Sequence, residues 1–415
     1  MNARSEMLAP DAQSRLSVHS DQGGIFKSLI EGFSYRLLQA LVKTYGVKVQ
    51  SLDNQYVMES ADFEIRFRKD LAKKVFDIVN VKDAELLIGE GYVNGEWDIV
   101  SGNLEDVLST FWEIANSSQY INRKRKNDLR DEFELSQRND PNSAKENIEH
   151  HYDAENYENS LFKAMLGDRM CYSAALFSEQ GGSLDEAQDQ KFEVIIDNLG
   201  ISPGDKVLDI GCGWGTLGRK LSDKDIHYDG ITISSEQYNY CQENKLGGGR
   251  ENYHLLDYRE FFENNDRQYD SVTCIEALDH IGTAQYNEFF RLVKKCLKPG
   301  GTFFLQLIAR PERGMTSTWI SKHIYPGGYI TSYEEAEEAF LYAGFNESSL
   351  VDLTGFHYAE TLRRWRNNLL ENWEGLSGTP PFDEEFLRKW MFFLSYSIVA
   401  FRDSGFTNYH LKLKA

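Results

Sequence analysis

The stretch Val207-Leu-Asp-Ile-Gly-Cys-Gly-Trp-Gly-Thr-Leu217 joins an apolar strand to a glycine-rich turn that leads into a helix. Gly211, Gly213 and Gly215 stand at alternate positions, where glycine lets the backbone approach a ligand closely. A dinucleotide-binding loop would need the pattern G-x-G-x-x-G, which this turn lacks. Asp209, just before the turn, would repel a phosphate but suits a ligand that carries positive charge. The stretch therefore predicts a binding loop that is not built for a pyrophosphate.

A second carboxylate narrows the choice of ligand. Asp257 ends the stretch His254 to Asp257, where a third strand should finish. A carboxylate there can accept a hydrogen bond from an adenine amino group. Asp209 suits an ammonium and a sulfonium, so the two carboxylates together favour S-adenosylmethionine. The glycine pattern alone leaves open a tight turn between strand and helix that holds no ligand.

After Asn147 the chain alternates between short apolar runs and helical stretches. Short apolar runs at this spacing predict parallel strands joined by right-handed crossovers, hence an α/β fold with a doubly wound sheet. Such sheets bind ligands at the carboxyl ends of their strands. The strands are expected at Lys206–Ile210, Tyr228–Ile233, Tyr269–Cys274 and Gly301–Ile308.

The length of 415 residues is enough for two domains. Residues 1–118 mix helical spacing with short alternating strands, as at Phe63, Ile65 and Phe67, which predicts a small N-terminal α+β domain. Residues 119–146 are strongly charged and show little apolar periodicity, so we expect a linker. Residues 147–415 are expected to form the catalytic domain.

Charge and hydropathy exclude several classes of function. A formal charge of −20 argues against nucleic-acid binding, which generally needs a basic face. The run Trp390–Phe401 is too short to cross a bilayer, and Met1–Gln22 has no apolar stretch of the kind found in secretory signals. We expect a cytoplasmic protein whose membrane contact, if any, is peripheral at the inner face. Two basic clusters are either headgroup contacts or solvated faces: Arg66, Arg68, Lys69, Lys73 and Lys74, and residues 123–126.

The five cysteines all stand at or beyond Cys171, are scattered singly and lack the spacing of a disulfide framework. We therefore expect free thiols. Since no group of histidines, cysteines and carboxylates has the spacing of metal ligands, no metal is expected.

The segment from Ile148 to about Leu413 resembles the cyclopropane fatty-acyl-phospholipid synthases and the related mycolic acid methyltransferases. The resemblance implies a Rossmann-like class I S-adenosylmethionine methyltransferase domain behind a smaller accessory domain. It also implies that Tyr172, Ser173, Thr232, Gln237 and Tyr258 contact the methyl donor. The motifs stand in the family's order: His150-His-Tyr-Asp153, Arg169-Met-Cys-Tyr-Ser173, Thr232-Ile-Ser-Ser-Glu-Gln237, Leu256-Asp-Tyr-Arg259, Glu276-Ala-Leu-Asp-His-Ile-Gly282 and Tyr325-Pro-Gly-Gly328.

In the reaction that this resemblance implies, the double bond of an unsaturated fatty acyl chain attacks the methyl of the sulfonium and leaves a carbocation. Aromatic faces and an anion then stabilise the positive charge. Tyr172, Tyr258 and Tyr358 are candidates for the aromatic faces. Glu276 and His280 are expected to flank the pocket, with Glu276 orienting the donor or the anion.

One part of the family pattern is altered. Synthases of this family hold a bicarbonate ion with a cysteine, a glutamate, a histidine and a tyrosine. The matching positions here are Ala174, Asp279, Gln306 and Tyr358, of which only the tyrosine is unchanged. Asp279 has the shorter side chain, and Gln306 cannot carry positive charge near neutral pH as histidine can. We predict that bicarbonate sits differently or is absent, and that the product is a ring, a methyl branch or a methylene group.

The resemblance further implies a membrane phospholipid as the source of the acyl chain, and a homodimer. Two other functions stay open. The first is N-methylation of a small amine, because plant alkaloid N-methyltransferases resemble the same family. The second is an inert lipid-binding homologue that kept the fold but lost its chemistry.

Overall fold

The computed structural model describes residues 48–51, 55–68, 71, 81–117, 139–153, 159–178, 181–222, 224–246 and 250–415. The chain divides into two compact units. The first consists of Met1–Leu129, Ser317–Trp319 and Glu384–Tyr396. The second consists of Arg130–Thr316, Ile320–Asp383 and Ser397–Ala415. Of the linker predicted over 119–146, residues 139–146 are described, and they belong to the second unit.

The first unit contains a four-stranded antiparallel sheet with its strands in chain order. Its strands are β1 (Lys48–Ser51), β2 (Gln55–Glu59), β3 (Glu64–Arg68) and β4 (Trp97–Ser101), and its helices include Val81–Val93 and Leu104–Ser117. Phe63, Ile65 and Phe67 are buried, whereas Arg66 and Arg68 are exposed, which confirms the predicted alternation. The remaining lysines of that basic cluster and residues 123–126 lie outside the described residues.

The second unit is built on one large sheet in the order β11-β12-β9-β8-β5-β6-β7, with the short β10 paired to β9. Strands β5 to β9 pair in parallel, whereas β12 is antiparallel to both of its neighbours. The strands are β5 (Lys206–Ile210), β6 (His227–Thr232), β7 (Glu251–Leu255), β8 (Tyr269–Ile275), β9 (Leu297–Arg310), β10 (Thr331–Ser332), β11 (Asn346–Asp352) and β12 (Thr407–Lys414). The predicted α/β class with a mostly parallel, doubly wound sheet is confirmed.

Helices separate the strands of this sheet, and side chains that alternate along each strand pack into two separate hydrophobic clusters. Val207 belongs to one cluster and Leu208 to the other, so both faces of β5 are covered. The helices are Pro141–Ile148, Ser160–Leu166, Leu184–Leu199, Thr216–Ser222, Ser235–Glu243, Tyr258–Glu263, Tyr286–Cys296, Thr318–His323, Tyr333–Tyr342, Thr354–Leu376 and Glu384–Asp403, with a π-helical turn at Glu149–Asp153 and 3-10 turns at Leu278–His280 and Thr283–Gln285.

The strand order reverses next to β5, whose neighbours are β6 on one side and β8 on the other. A crevice forms where crossover connections leave a parallel sheet in opposite directions. The fold therefore places a ligand site beyond the carboxyl ends of β5, β6 and β8, where the predicted binding loop lies.

Candidate active site

A cavity opens at this crevice and encloses about 1090 Å³ of empty space, counting its opening to solvent. That volume is large enough for a ligand of ordinary cofactor size. All of the predicted donor-binding residues line the cavity: Tyr172, Ser173, Asp209, Gly211, Gly213, Thr232, Gln237, Asp257 and Tyr258. Of the predicted catalytic residues, Glu276 and His280 line it as well, whereas Asp279, Gln306 and Tyr358 lie behind its wall.

The glycine loop owes its shape to left-handed backbone angles, with φ of +76° at Gly211, +53° at Gly213 and +78° at Gly215. A Cβ on Gly211 would lie 2.5 Å from the Cβ of Ala277, and one on Gly215 would lie 2.9 Å from the Sγ of Cys241. A Cβ on Gly213 would meet no atom within 4 Å, because this glycine faces the open cavity. The loop is thus packed against protein at its two ends and open at its middle.

Asp209 is buried beneath this loop. One of its carboxylate oxygens accepts a hydrogen bond from the Tyr228 hydroxyl at 2.7 Å, and the other accepts one from Thr273 Oγ1 at 2.7 Å. Burial raises the pKa of Asp209 to about 6, against the lowering effect of these two hydrogen bonds. The carboxylate is therefore fixed in place, and its remaining lone pairs can face a cationic group in the cavity.

Two further pairs of residues line the cavity on the side of β6 and β7. Thr232 Oγ1 donates to Gln237 Oε1 at 2.7 Å, and both side chains are buried. Asp257 caps the helix Tyr258–Glu263. Its two carboxylate oxygens accept hydrogen bonds from Nε and Nη2 of Arg259 at 2.7 and 2.8 Å. Sequence reasoning missed Arg259, although a cation two residues after a predicted ligand carboxylate could have indicated it.

Tyr172 and Ser173 enter the cavity from the segment before the helix Leu184–Leu199. Ser173 Oγ accepts a hydrogen bond from Lys191 Nζ at 2.7 Å, and its carbonyl accepts one from Gln188 Nε2 at 2.9 Å. Lys191 is fully buried, and its Nζ also lies 3.1 Å from Cys171 Sγ. Sequence reasoning missed Lys191, but its place on the apolar face of an amphipathic helix could have marked it.

Glu276 follows β8 directly and has a φ of +50°, a left-handed angle that is uncommon for a residue with a side chain. Its carboxylate accepts hydrogen bonds from the Ala174 N–H at 3.1 and 3.2 Å, from Gln306 Nε2 at 2.7 Å and from Asn408 Nδ2 at 2.7 Å. Burial raises the pKa of Glu276 to about 7, although the charge of Lys191 and these hydrogen bonds lower it. Sequence reasoning missed Asn408.

Gln306 thus contacts the site through Glu276, and its Nε2 also lies 3.2 Å from the Ala174 carbonyl. The other two residues behind the wall are Asp279 and Tyr358. Asp279 Oδ2 lies 3.7 Å from His280 Nε2, and burial raises the pKa of Asp279 while His280 lowers it. Burial also raises the pKa of the Tyr358 phenol, and the charge of Glu276 raises it further.

Aromatic rings pack beside Tyr172 and His280, which line the cavity. The ring of Tyr172 lies 4.8 Å from that of Trp365 and 5.6 Å from that of His151, between centroids. The His151 ring stacks at 4.0 Å on Tyr325, which lies 5.3 Å from His280. Stacked and tilted rings exclude water and present electron-rich faces to a cation.

Two observations test whether S-adenosylmethionine fits these residues. Within the described part of the chain, Tyr258 Oη and Asn139 Oδ1 line the cavity and are buried without a hydrogen-bond partner, as expected of groups that await a ligand. The open space at Gly213 leaves room for that ligand beside the loop. The residues present therefore fit the donor.

Metal ligation, disulfide pairing and membrane crossing place separate demands on the described residues. No three of their histidines, cysteines and carboxylates are grouped so as to hold a metal ion. All five cysteines are buried and free, as predicted. Within the same residues, no helix combines the length and apolar character that crossing a bilayer requires.

Known proteins resemble this chain over most of its length. Tuberculostearic acid methyltransferase UfaA1 of Mycobacterium tuberculosis is 32% identical over 77% of this chain and 76% of its own. Cyclopropane-fatty-acyl-phospholipid synthase of Escherichia coli is 29% identical over 89% of this chain and 90% of its own.

Solved structures of two cyclopropane synthases also resemble this chain. The cyclopropane synthase MmaA2 from Mycobacterium tuberculosis superposes with a TM-score of 0.59 at 27% identity, over 65% of this chain and 98% of its own. The mycolic acid cyclopropane synthase CmaA1, complexed with SAH and CTAB, gives a TM-score of 0.58 with the same identity and coverage.

The family model described as mycolic acid cyclopropane synthetase matches residues 139–411, a range that contains every residue of the cavity wall named above. The match covers more than half of the chain and agrees with the order of its sequence motifs. This chain belongs to the mycolic acid cyclopropane synthetase family of S-adenosylmethionine-dependent methyltransferases.

Proposed function

We propose that this protein transfers a methyl group from S-adenosylmethionine to the double bond of an unsaturated fatty acyl chain of a membrane phospholipid. When bound, the donor supplies an electrophilic methyl on a sulfonium. The observation that carries the proposal is a donor-sized cavity whose lining includes the aromatic rings of Tyr172 and Tyr258 and one hydrogen-bonded carboxylate, Glu276. An alkene needs this environment because its methylation produces a carbocation that water would quench.

The cavity residues have distinct binding roles in this proposal. Gly213 leaves space for the donor, and Asp209 faces its positively charged end. Thr232 and Gln237 bind the ribose hydroxyls, since the Nε2 group of Gln237 remains a donor while its Oε1 accepts from Thr232. Asp257, held by Arg259, accepts from the adenine amino group.

The catalytic side chains act on the acyl chain. Tyr172 presents its ring face to the developing positive charge from the cavity wall, and Tyr358 supports that charge from behind the wall. Burial keeps both phenols neutral by raising their pKa. Asp279 and His280 border the same region and add to its electrostatics.

The names of the relatives support a fatty acyl substrate, since they describe a tuberculostearic acid methyltransferase and a cyclopropane-fatty-acyl-phospholipid synthase. The second match extends over 89% of this chain and so includes part of the first unit. We further propose that residues 1–118 form an accessory lipid-binding domain and that the protein is a dimer that meets the inner membrane face peripherally. Cosedimentation with vesicles and light scattering test these two points.

Methyl-labelled donor and vesicles of a monounsaturated phosphatidylglycerol test the function, with the fully saturated lipid of the same headgroup as control. Label should enter the chloroform-soluble fraction only with the unsaturated lipid. Mass spectrometry then assigns the product: a gain of one CH2 without a surviving alkene indicates a ring, and a retained alkene indicates branching or methylene formation. Label that enters a small amine in the aqueous phase, and no lipid, would contradict the proposal in favour of N-methylation.

A further inference from the structure

Glu276 has a combination of features that binding of the donor does not require. It is a non-glycine residue at φ +50°, and its N–H is fixed by the Gln306 carbonyl at 2.9 Å. Backbone outliers of this kind persist where the surrounding structure enforces them, often at functional sites. Glu276 lines the cavity at this point, and its carboxylate lies within hydrogen-bond distance of Ala174, Gln306 and Asn408.

The partners of this carboxylate are all donors. The Ala174 N–H contacts both oxygens, and Gln306 and Asn408 direct their amide nitrogens at Oε1. Gln306 is oriented by His410, whose Nε2 lies 3.1 Å from Gln306 Oε1 and so carries the hydrogen. Burial lowers the pKa of His410 to about 3, so the histidine is neutral at physiological pH. The result is a preformed pocket for one negative charge, already occupied by the chain itself.

Ala174 and Gln306 are also two of the four positions that, by the family resemblance, match the bicarbonate site of the synthases. Both bind the Glu276 carboxylate instead. A carboxylate has the same planar pair of oxygens as bicarbonate and the same capacity to accept a proton. An exchangeable anion would have to compete with Glu276 for these donors.

We propose that the Glu276 carboxylate is the group that removes the proton after methyl transfer, so that this enzyme needs no exchangeable anion. The inference rests on the proposed function. The alkene electron pair forms a bond to the methyl carbon, the carbon–sulfur bond breaks with its electrons passing to sulfur, and the other alkene carbon becomes cationic. Glu276 then takes a proton from carbon, and the C–H electron pair neutralises the cation by closing a ring or forming a double bond. The protonated carboxyl finally releases its proton to solvent.

The charged and titratable groups that face Glu276 are consistent with this role. Lys191, from the helix Leu184–Leu199, favours the ionised form, whereas burial opposes it. His410 is neutral, and the phenols of Tyr172 and Tyr358 stay protonated because burial raises their pKa. Asp279, the neighbouring carboxylate, lies behind the cavity wall beside His280, and Glu276 lies on the wall itself.

The test compares Glu276→Gly, Glu276→Gln and Asp279→Asn with the wild type in bicarbonate-free buffer. Glycine suits the left-handed angle and leaves an empty pocket, and glutamine fills the pocket without a base. Both Glu276 variants should lose at least about 100-fold in the rate of lipid methylation, the usual scale for a lost general base. Added bicarbonate or formate should restore part of the rate of Glu276→Gly and none of that of Glu276→Gln.

Two readouts do not depend on turnover. Calorimetry should show that the Glu276 variants bind S-adenosylhomocysteine within about tenfold of wild type, since the glycine loop is intact. Burial raises the pKa of Asp209 to about 6, so Asp209 should titrate in every variant. Infrared difference spectra should therefore show one carboxyl group fewer titrating near neutral pH in Glu276→Gln than in the wild type and in Asp279→Asn.

The inference is overturned if the wild type methylates lipid only when bicarbonate is added, or if Glu276→Gly methylates lipid at the wild-type rate without any added anion. Failure of the proposed function looks different, because the wild type would then label no lipid under any condition.

Discussion

Alanine at Gly213 is expected to weaken donor binding by at least about tenfold while destabilising the empty protein only modestly. The backbone at Gly213 has φ +53°, and an L-residue in the left-handed region costs about 1–2 kcal/mol. Reduced freedom of the unfolded chain returns about 0.4–1 kcal/mol, so the net loss of unfolding free energy should be on the order of 1 kcal/mol. No atom lies within 4 Å of the added methyl, so the substitution adds no clash in the empty protein.

The new methyl does enter the cavity that Gly213 lines. An overlap that costs only about 1.4 kcal/mol already lowers the affinity tenfold. Calorimetric titration with S-adenosylhomocysteine measures this affinity, and thermal unfolding without ligand measures stability.

Gly200 provides a matched control. It ends the helix Leu184–Leu199 at φ +63°, and a Cβ there would also meet no atom within 4 Å, but it does not line the cavity. Gly200→Ala and Gly213→Ala should therefore lose similar stability, and only Gly213→Ala should lose donor affinity. Equal affinity in the two variants would refute the placement of the donor against this loop.

Three further outcomes follow from the charged groups of the site. The rate of a single turnover should rise tenfold per pH unit up to about pH 7 and then level off, since Glu276 acts only when ionised and burial raises its pKa to about 7. Ionising the buried Glu276 carboxyl costs folding free energy. Its contribution to the free energy of unfolding is therefore largest in acid and declines as the pH rises through 7. Lys191→Met removes the positive charge that favours ionised Glu276, so the midpoint of the same pH profile should move to higher pH. Arg259→Lys cannot form the two-pronged pair with Asp257, and calorimetry should show donor affinity reduced by about tenfold.

Strand boundaries could be predicted best where one continuous segment of sequence defines the whole strand. The strand β5 matches the predicted range, β6 differs from prediction by one residue at each end, and β8 differs by one residue at its carboxyl end. Strand β9 begins at Leu297, four residues before the predicted Gly301. The segment Lys298-Pro-Gly-Gly has the composition of a turn, so it was not predicted as part of the strand. In the structure it belongs to β9, and the register between β9 and β8 shifts there, between Tyr269 and Ser271 of β8.

Most donor-binding residues could be predicted for the same reason, since they lie at or just after the carboxyl end of a parallel strand, where ligands bind; Tyr172 and Ser173, which precede β5, came from the family resemblance. The structure places every one of them on one cavity wall. Their partners were harder to find, because Arg259 and Lys191 act through contacts that only the folded chain creates. Lys191 is a lysine without exposed surface, and composition alone makes such a residue improbable.

The hydrogen-bond donors around the Glu276 carboxylate could not be predicted from the motif Glu276–Gly282 alone. Glu276, Gln306 and Asn408 come from the ends or interiors of three neighbouring strands, β8, β9 and β12. The antiparallel register of β12 against β9 pairs His410 with Gln306 and Asn408 with Ile308. A slip of one residue would turn Asn408 and His410 to the opposite face of the sheet and leave the Glu276 carboxylate without the amide donor of Asn408. The last strand of the chain, which carries no recognisable catalytic motif, thus determines through its register whether the carboxylate after β8 is held in place to accept a proton.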